Sequence, residues 1–333
     1  MCHSPLRLAL ARVITLAASL GAAAVPLAAQ AAPNAADAGV ALFEQGRLAD
    51  ARTQLAAVAS ADPRNRVAAF YLGRVELAEG DGEGAVGWLE RATKLDPRNS
   101  GYFYWLGNAY GRQALRASRL KQARLAGRIR GAYERAIALD PSNLDARSGL
   151  LQYYVIAPGI MGGSVDRARE QAREIGRRSA LRGRIAAGVI AERQKDRAGA
   201  EREYTAAVAA APDSAIGYAV LGDLYRRAGQ YDKAFATFTR MQRALPNEAS
   251  PLYLVGRTSA VSGQRLDEGA AALRRYIAAP RRDTDPPLAS AHFRLATILE
   301  KQGRRDLARQ EYEATLRLDP EQKEAREGLG RVR

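Results

Sequence analysis

From Ala35 to Pro320 the apolar residues recur at spacings of three and four, the period that places side chains on one face of an α-helix. The segment Ala215 to Pro246 shows the pattern fully. Tyr218, Leu221, Gly222 and Tyr225 share one face of a predicted helix that Gly229 ends, and Ala234, Phe238 and Met241 share one face of a second. Gly222 and Ala234 are small where two helix backbones must approach closely. A proline then closes the second helix, because it can neither donate a backbone hydrogen bond nor fit the preceding turn. Prolines in this place recur at Pro63, Pro97, Pro141, Pro212, Pro246, Pro280 and Pro320, with gaps of 34, 44, 71, 34, 34 and 40 residues. Three gaps are one unit, two are a unit with an insertion, and 71 is two units plus three residues. Leu95, Leu139 and Leu318 each begin a Leu-Asp-Pro run. The same template fits Ala35, Gly39, Leu42, Gly46, Ala51, Leu55 and Val58, and fits Ala69, Leu72, Gly73, Gly80, Ala85, Leu89 and Ala92. It also fits Ala187, Gly188, Ala200, Tyr204 and Ala207, and the last unit from His292 through Leu295, Ala296, Leu299, Gly303, Ala308, Tyr312 and Thr315.

The pattern predicts an all-α chain of about eight helix-turn-helix units, four in residues 32–176 and four in 181–320. Residues 321–333 read as a capping helix that keeps the last apolar face out of water. Three units depart from the template. The third carries ten extra residues between Tyr110 and Tyr133. The fourth has Leu150, Leu151 and Tyr154 in its first helix, an insertion from Ala157 to Gly163, and no closing proline. The seventh has extra residues near Leu266 and a linker, Arg281 to Pro287.

In this register the chain resembles tetratricopeptide repeat (TPR) proteins, whose pattern runs W-x2-L-G-x2-Y, then A-x3-F, then P. In the third unit Phe103, not Trp105, holds the Trp slot, followed by Leu106, Gly107 and Tyr110. The resemblance spans residues 32–320. It implies a superhelical solenoid whose first helices line a groove that holds peptides or protein partners, a scaffold rather than an enzyme, with no cofactor or metal. The slots between core positions then give Tyr71, Arg74, Tyr104, Asn108, Arg112 and Gln152 as partner-binding residues. Arg and Tyr are favoured at interface hot spots, and Asn108 and Gln152 can hydrogen-bond an extended backbone. Some family members clamp a C-terminal carboxylate with a fixed Lys/Asn set. Here the matching slots hold Phe70, Arg74, Trp105 and Gly101, so that clamp is not implied.

Composition narrows the chemistry. The only cysteine is Cys2 and the only histidines are His3 and His292, so a Cys/His zinc site, a Ser-His-Asp triad and a Cys-His pair lack their residues. Residues 1–31 read as a secretory signal peptide. Arg7 and Arg12 precede the apolar run Val13 to Leu20, and small residues lead to Ala29-Gln30-Ala31. Cleavage is expected after Ala31, with Ala29 as the alternative, and export to the bacterial periplasm follows. A retained membrane anchor is the competing reading, but the run is shorter than a span needs and Pro26 interrupts it.

The 333-residue chain carries 51 Lys and Arg against 36 Asp and Glu, a formal net charge of +15. Between Arg112 and Arg130 there are seven basic residues and no acidic one. Within that stretch Arg116, Arg119, Lys121, Arg124 and Arg128 form a candidate basic ridge for an acidic partner or anionic lipid headgroups, and the compartment argues against nucleic acid. The helical pattern continues through Leu115, Leu120, Leu125 and Ile129, which predicts extended helices. The Gly-rich run at 158–164 lacks the lysine and preceding strand of a phosphate loop, so it reads as a tight turn with Ser164 capping the next helix. A similar turn occurs in TPR proteins that accompany periplasmic transporters. An alternative function is therefore ligand binding or transporter assistance, with an enclosed cavity between Tyr153, Tyr154 and Met161. An enzyme would need a converging carboxylate pair such as Glu192 and Asp223. His292, in a core slot, is expected to be packed or half-exposed.

Overall fold

The chemistry of the turn between units explains the proline period. In Asp62-Pro63-Arg64-Asn65 the Asp62 carboxylate accepts the Arg64 backbone N–H at 2.9 Å, and the Asn65 side chain accepts the Ala68 N–H at 2.9 Å. Proline fixes the turn while the aspartate satisfies it from one side and the asparagine caps the following helix. The same arrangement recurs at Asp96 to Asn99 and at Asp140 to Asn143. One helix thus ends and the next begins within four residues.

A computed structural model describes residues 35–280 and 285–332. The proposed signal peptide at 1–31 and residues 281–284 of the linker lie outside the described residues. Among the described residues there are seventeen α-helices and no strand. They pair as α1 (Asp37–Glu44) with α2 (Leu48–Ala61), α3 (Arg66–Glu79) with α4 (Gly82–Leu95), and α5 (Ser100–Leu115) with α6 (Arg119–Leu139). Next come α7 (Leu144–Ile156) with α8 (Val165–Gly176), α9 (Ala180–Arg193) with α10 (Arg197–Ala210), and α11 (Ala215–Arg227) with α12 (Tyr231–Ala244). The last pairs are α13 (Ser250–Ser262) with α14 (Leu266–Ala278) and α15 (Leu288–Lys301) with α16 (Arg305–Leu318), and α17 (Lys323–Arg331) follows. This is an all-helical stack of helix-turn-helix units. Each helix packs on its chain neighbour, and each first helix also packs on the first helix of the next unit. No two second helices pack to a comparable extent, so successive units come closest on the first-helix side.

Within a unit, a small residue of the first helix is a socket for a large residue of the second. A Cβ at Gly222 would lie 2.2 Å from Phe238 Cε1, one at Gly188 2.2 Å from Tyr204 Cε1, and one at Gly256 2.2 Å from Leu273 Cγ. The inserted side chains are fully buried. Tyr133 is lodged between two sockets, Gly107 of its own unit and Gly149 of the next, where a Cβ would lie 2.6 and 2.5 Å from its ring. Close packing of this kind fixes helix separation and register together. The turn inside a unit needs a left-handed residue: Gly229 fills it with φ +72°, whereas the fifth unit places Lys195 there at φ 62°.

The insertion in the third unit is helical, as its pattern predicts. It lengthens α6 to 21 residues and leaves a short turn at 116–118. Leu125 is buried and Ile129 half-buried, but Leu115 and Leu120 are 76 % and 78 % exposed. The apolar spacing thus runs on past the neighbouring helices that could cover it. The Gly-rich segment makes a single 3-10 turn at Gly159–Met161, and the Ser164 hydroxyl caps α8 by accepting the Arg167 N–H at 3.3 Å.

Candidate functional site

Two clefts open on the first-helix side. The first, about 390 Å³, is lined by Phe43, Arg74, Leu77, Trp105, Asn108 and Arg112, with Ala78 at its edge. Helices α1, α3 and α5 supply these side chains from three consecutive units. The Arg74 guanidinium carbon lies 4.6 Å from the Phe43 ring centroid and 4.5 Å from that of Trp105, with Tyr71 at 5.5 Å and Phe70 at 5.8 Å. Burial among these rings pulls the Arg74 pKa down, and electrostatic attraction and hydrogen bonding from Tyr71, with the charge of Glu44, partly restore it. Its Nε is buried without a hydrogen-bond acceptor. An aromatic cage of this kind holds a cation in a fixed pose by the ring quadrupoles. Below it the Tyr133 hydroxyl donates to Asn108 Oδ1 at 2.7 Å, which turns the Asn108 NH2 group away from that contact as an available donor.

Of the six groove residues expected from the sequence, Arg74, Asn108 and Arg112 therefore share one cleft, and Tyr71 forms part of the cage around Arg74. Tyr104 is not among the residues that line this cleft. Its ring packs on Trp105 at 5.4 Å and on Tyr133 at 6.2 Å, towards the core of the fourth unit. Gln152 is exposed one unit further along, at the edge of two other clefts.

Of the second first-helix cleft, about 770 Å³, only Gln152 was expected as a partner-binding residue. Gln152, Val189, Arg193, Val220, Leu254 and Arg257 are among its lining residues, together with Glu192, Asp223 and Arg227. Arg257 and Asp223 follow the socket glycines Gly256 and Gly222 directly, as Arg74 follows Gly73. That shared slot is the sequence signal that could have found them. Glu192 and Asp223 do converge here, but Arg227 bridges them, at 2.6 Å to Glu192 and 2.5 Å to Asp223. Glu192 also accepts the Tyr204 hydroxyl at 2.6 Å, and Asp223 accepts Arg226 at 2.8 Å and Arg257 at 2.6 Å. Burial alone would raise the Asp223 carboxyl. The hydrogen bond from Arg226 and the charges of Arg257, Arg226 and Arg227 outweigh it and hold the group below the usual carboxylate range. A carboxylate so committed is a poor proton donor at neutral pH.

The basic ridge divides into two sets. Lys121 reaches Glu83 at 3.5 Å, and Arg128 reaches Glu90 at 3.1 Å while lying 4.8 Å from the Tyr110 ring, so both turn towards α4. Arg112, Arg116, Arg119 and Arg124 are exposed, and among the described residues no ion pair is recorded for them. Tyr153 and Met161 line a third cleft as expected near the Gly-rich turn, but Tyr154 does not. It is buried on the other side of α7, with its hydroxyl 3.4 Å from Glu134 and Arg167 over its ring. His292 is mostly buried, its Nδ1 2.6 Å from Glu311 Oε2.

Comparison with known proteins agrees with this register. Residues 36–100 and 185–249 match one tetratricopeptide repeat family model, and residues 289–322 match another. These segments are tetratricopeptide repeats, and such repeats bind protein partners. No curated protein matches the chain. Among solved structures, a tetratricopeptide repeat protein from Parabacteroides merdae is similar at a TM-score of 0.48 and 13 % identity, covering 89 % of this chain and 96 % of that one. The APC/C hetero-tetramer Cut9-Hcn1 is similar at 0.46 and 15 % identity; the match covers 89 % of this chain and 54 % of that one. MamA protein is similar at 0.41 and 23 % identity, over 53 % of this chain and 90 % of that one. No helix among the described residues is long and apolar enough to cross a membrane.

Proposed function

We propose that the chain is an exported, non-catalytic scaffold that binds a protein or peptide of the bacterial cell envelope along its first-helix face, with the Arg74 cleft as the anchor. The observation that carries this reading is the pose of Arg74. Its guanidinium is fixed between Phe43 and Trp105, 4.6 and 4.5 Å from their ring centroids, on a wall that also presents Asn108 and Arg112. Two guanidinium groups and a free amide donor, set among aromatic rings, suit an extended segment with an acidic side chain and exposed backbone carbonyls. Export rests on the reading of residues 1–31 as a signal peptide.

The test is affinity capture from cell-envelope extract with three baits: the unaltered chain, Arg74→Glu with Arg112→Glu, and Arg116→Glu with Arg119→Glu, Lys121→Glu and Arg124→Glu. A partner kept by the first and third baits and lost by the second supports the Arg74 cleft. A partner lost only on the third moves recognition to the ridge, and no partner on any bait rejects the scaffold reading. Export is checked separately by fractionating cells that express the whole chain, with the product's N-terminus expected at Ala32.

A further inference from the structure

The third cleft differs in kind from the other two. It lies between α5, α6, α7 and the 3-10 turn, is an open cleft of about 380 Å³, and its walls come mainly from Leu115, Ala126, Ile129, Gly149, Ile156 and Met161. Its apolar lining continues outward, since Leu115 is 76 % exposed and Ile156 66 %. Ile160, at the tip of the neighbouring turn, is 95 % exposed. The polar groups on its walls are largely spoken for. Gln122 donates its amide to the carbonyls of Ala114 and Ala117 at 3.2 and 3.0 Å, the Tyr133 hydroxyl donates to Asn108, and the Tyr153 hydroxyl donates to the Met161 carbonyl. Only Gln152, exposed, keeps an uncommitted amide there, so the surface has little with which to read a peptide backbone. It suits a saturated chain, and its volume lies near the small end of ligand pockets, roughly 300–1,000 Å³.

One end of this cleft is positive. Arg119, Gln122, Ala126, Ile129 and Tyr133 follow one another on α6 at steps of three and four, so they share a face. The last four line the cleft. Arg119 therefore stands one turn beyond the apolar floor, whereas Arg116 turns the other way, its guanidinium beside Gly80 at the turn between α3 and α4. Arg119 is exposed, and among the described residues it has no recorded ion pair. Between Arg112 and Arg130 no acidic residue offsets it.

We propose that this cleft binds a free single-chain anionic amphiphile of the fatty-acid class, its alkyl chain against Ala126, Ile129 and Ile156 and its carboxylate at Arg119. The proposal is independent of the Arg74 cleft and survives or fails without it.

Calorimetric titration of the full chain with dodecanoate, below its micelle concentration, tests it. Saturable one-to-one binding is expected, weakening about fourfold for each methylene removed, and weaker still for dodecanol and weakest for dodecylammonium. Leu115→Asp with Ile156→Asp changes two exposed side chains and should abolish binding. Arg119→Glu should weaken dodecanoate about tenfold and leave dodecanol unchanged. On the unaltered chain, a diazirine-bearing dodecanoate should crosslink within residues 111–161. Four outcomes overturn the proposal: no saturable binding, a label elsewhere, capture of phosphatidylglycerol vesicles without dodecanoate binding, or a concentration-dependent dimer that Leu115→Asp with Ile156→Asp dissolves, which would make the cleft an interface with a second copy.

Discussion

The same substitution, glycine to alanine in a helix, should change stability in opposite directions at Gly222 and at Gly131. In an open helical site alanine is favoured by about 0.8–1.0 kcal/mol. Gly131, in α6, is such a site: nothing lies within 4 Å of the position its Cβ would take. Gly222 gains the same backbone preference, but its Cβ would stand 2.2 Å from Cε1, 2.4 Å from Cζ and 2.9 Å from Cδ1 of Phe238, whose side chain is 0 % exposed. Phe238 is wedged between two helices and cannot swing aside without moving them. Overpacking of this kind costs about 1–3 kcal/mol, so Gly222→Ala should be destabilising by up to about 2 kcal/mol net of the propensity gain. Urea unfolding followed by circular dichroism reads both variants. Repeat arrays can unfold in parts, so amide exchange in α11 and α12 should accompany it. Adding Phe238→Leu to Gly222→Ala should recover part of the loss, and adding it to Gly131→Ala should show no coupling. Stabilisation of equal size by the two alanines would refute the socket account of the helix pair.

Other consequences are as direct. Lys195→Gly should stabilise the chain by about 0.5–1 kcal/mol, because the left-handed backbone at φ 62° costs a side-chain-bearing residue more than the added freedom of glycine costs the fold; an unchanged melting midpoint would contradict this. Arg74→Ala should destabilise the first three units by about 1 kcal/mol through the lost ring contacts, read as faster amide exchange in α3, while Arg112→Ala should leave that exchange unchanged. On the acid side, Asp223, Glu201 and Glu300 titrate below their ordinary values. For Asp223, the Arg226 hydrogen bond and neighbouring arginines overcome burial; for Glu201, hydrogen bonds from Tyr225 and Lys233 act first; for Glu300, that from Arg331. Their stabilisation is fully present above the unfolded carboxylate range and is lost as pH falls below that range and through the lower folded values, so the melting temperature should hold from pH 7 to about 5 and drop below about 4. On the alkaline side, burial first, and then the Glu201 and Glu300 acceptors, push Tyr225 and Tyr312 up to about 12. Their contribution should persist below pH 10 and disappear as pH rises towards about 12, followed by phenolate absorbance together with helicity.

What the sequence revealed follows from which interactions are local. The turn after each second helix is written in four consecutive residues, as at Asp62 to Asn65, so the unit boundaries could be read directly. The sockets were legible because Gly73, Gly188 and Gly222 recur in one slot and each meets a partner about sixteen residues on. Arg74, Asn108 and Arg112 were legible as neighbours for the same reason, since slots on consecutive first helices align. Tyr104 was not, because its neighbour Tyr133 comes from a helix whose start the insertion had moved. The exposure of Leu115 and Leu120 was hidden as well, since spacing marks a shared face but not whether anything covers it. The Glu192–Asp223 pair was seen without the arginine that joins it, because Arg227 lies 35 residues from Glu192 and only the folded stack brings them together.

Tyr133 fills sockets in two units at once, where Phe238 and Leu273 fill one each. Under tension applied at the chain ends, most units of such a stack can peel away singly, each costing its own helix pair and one junction. Removing the fourth unit also strips one wall from the ring that holds the third together, and removing the third takes the ring with it. The third and fourth units should therefore leave in one rip of double length, a mechanical block set by a single aromatic side chain.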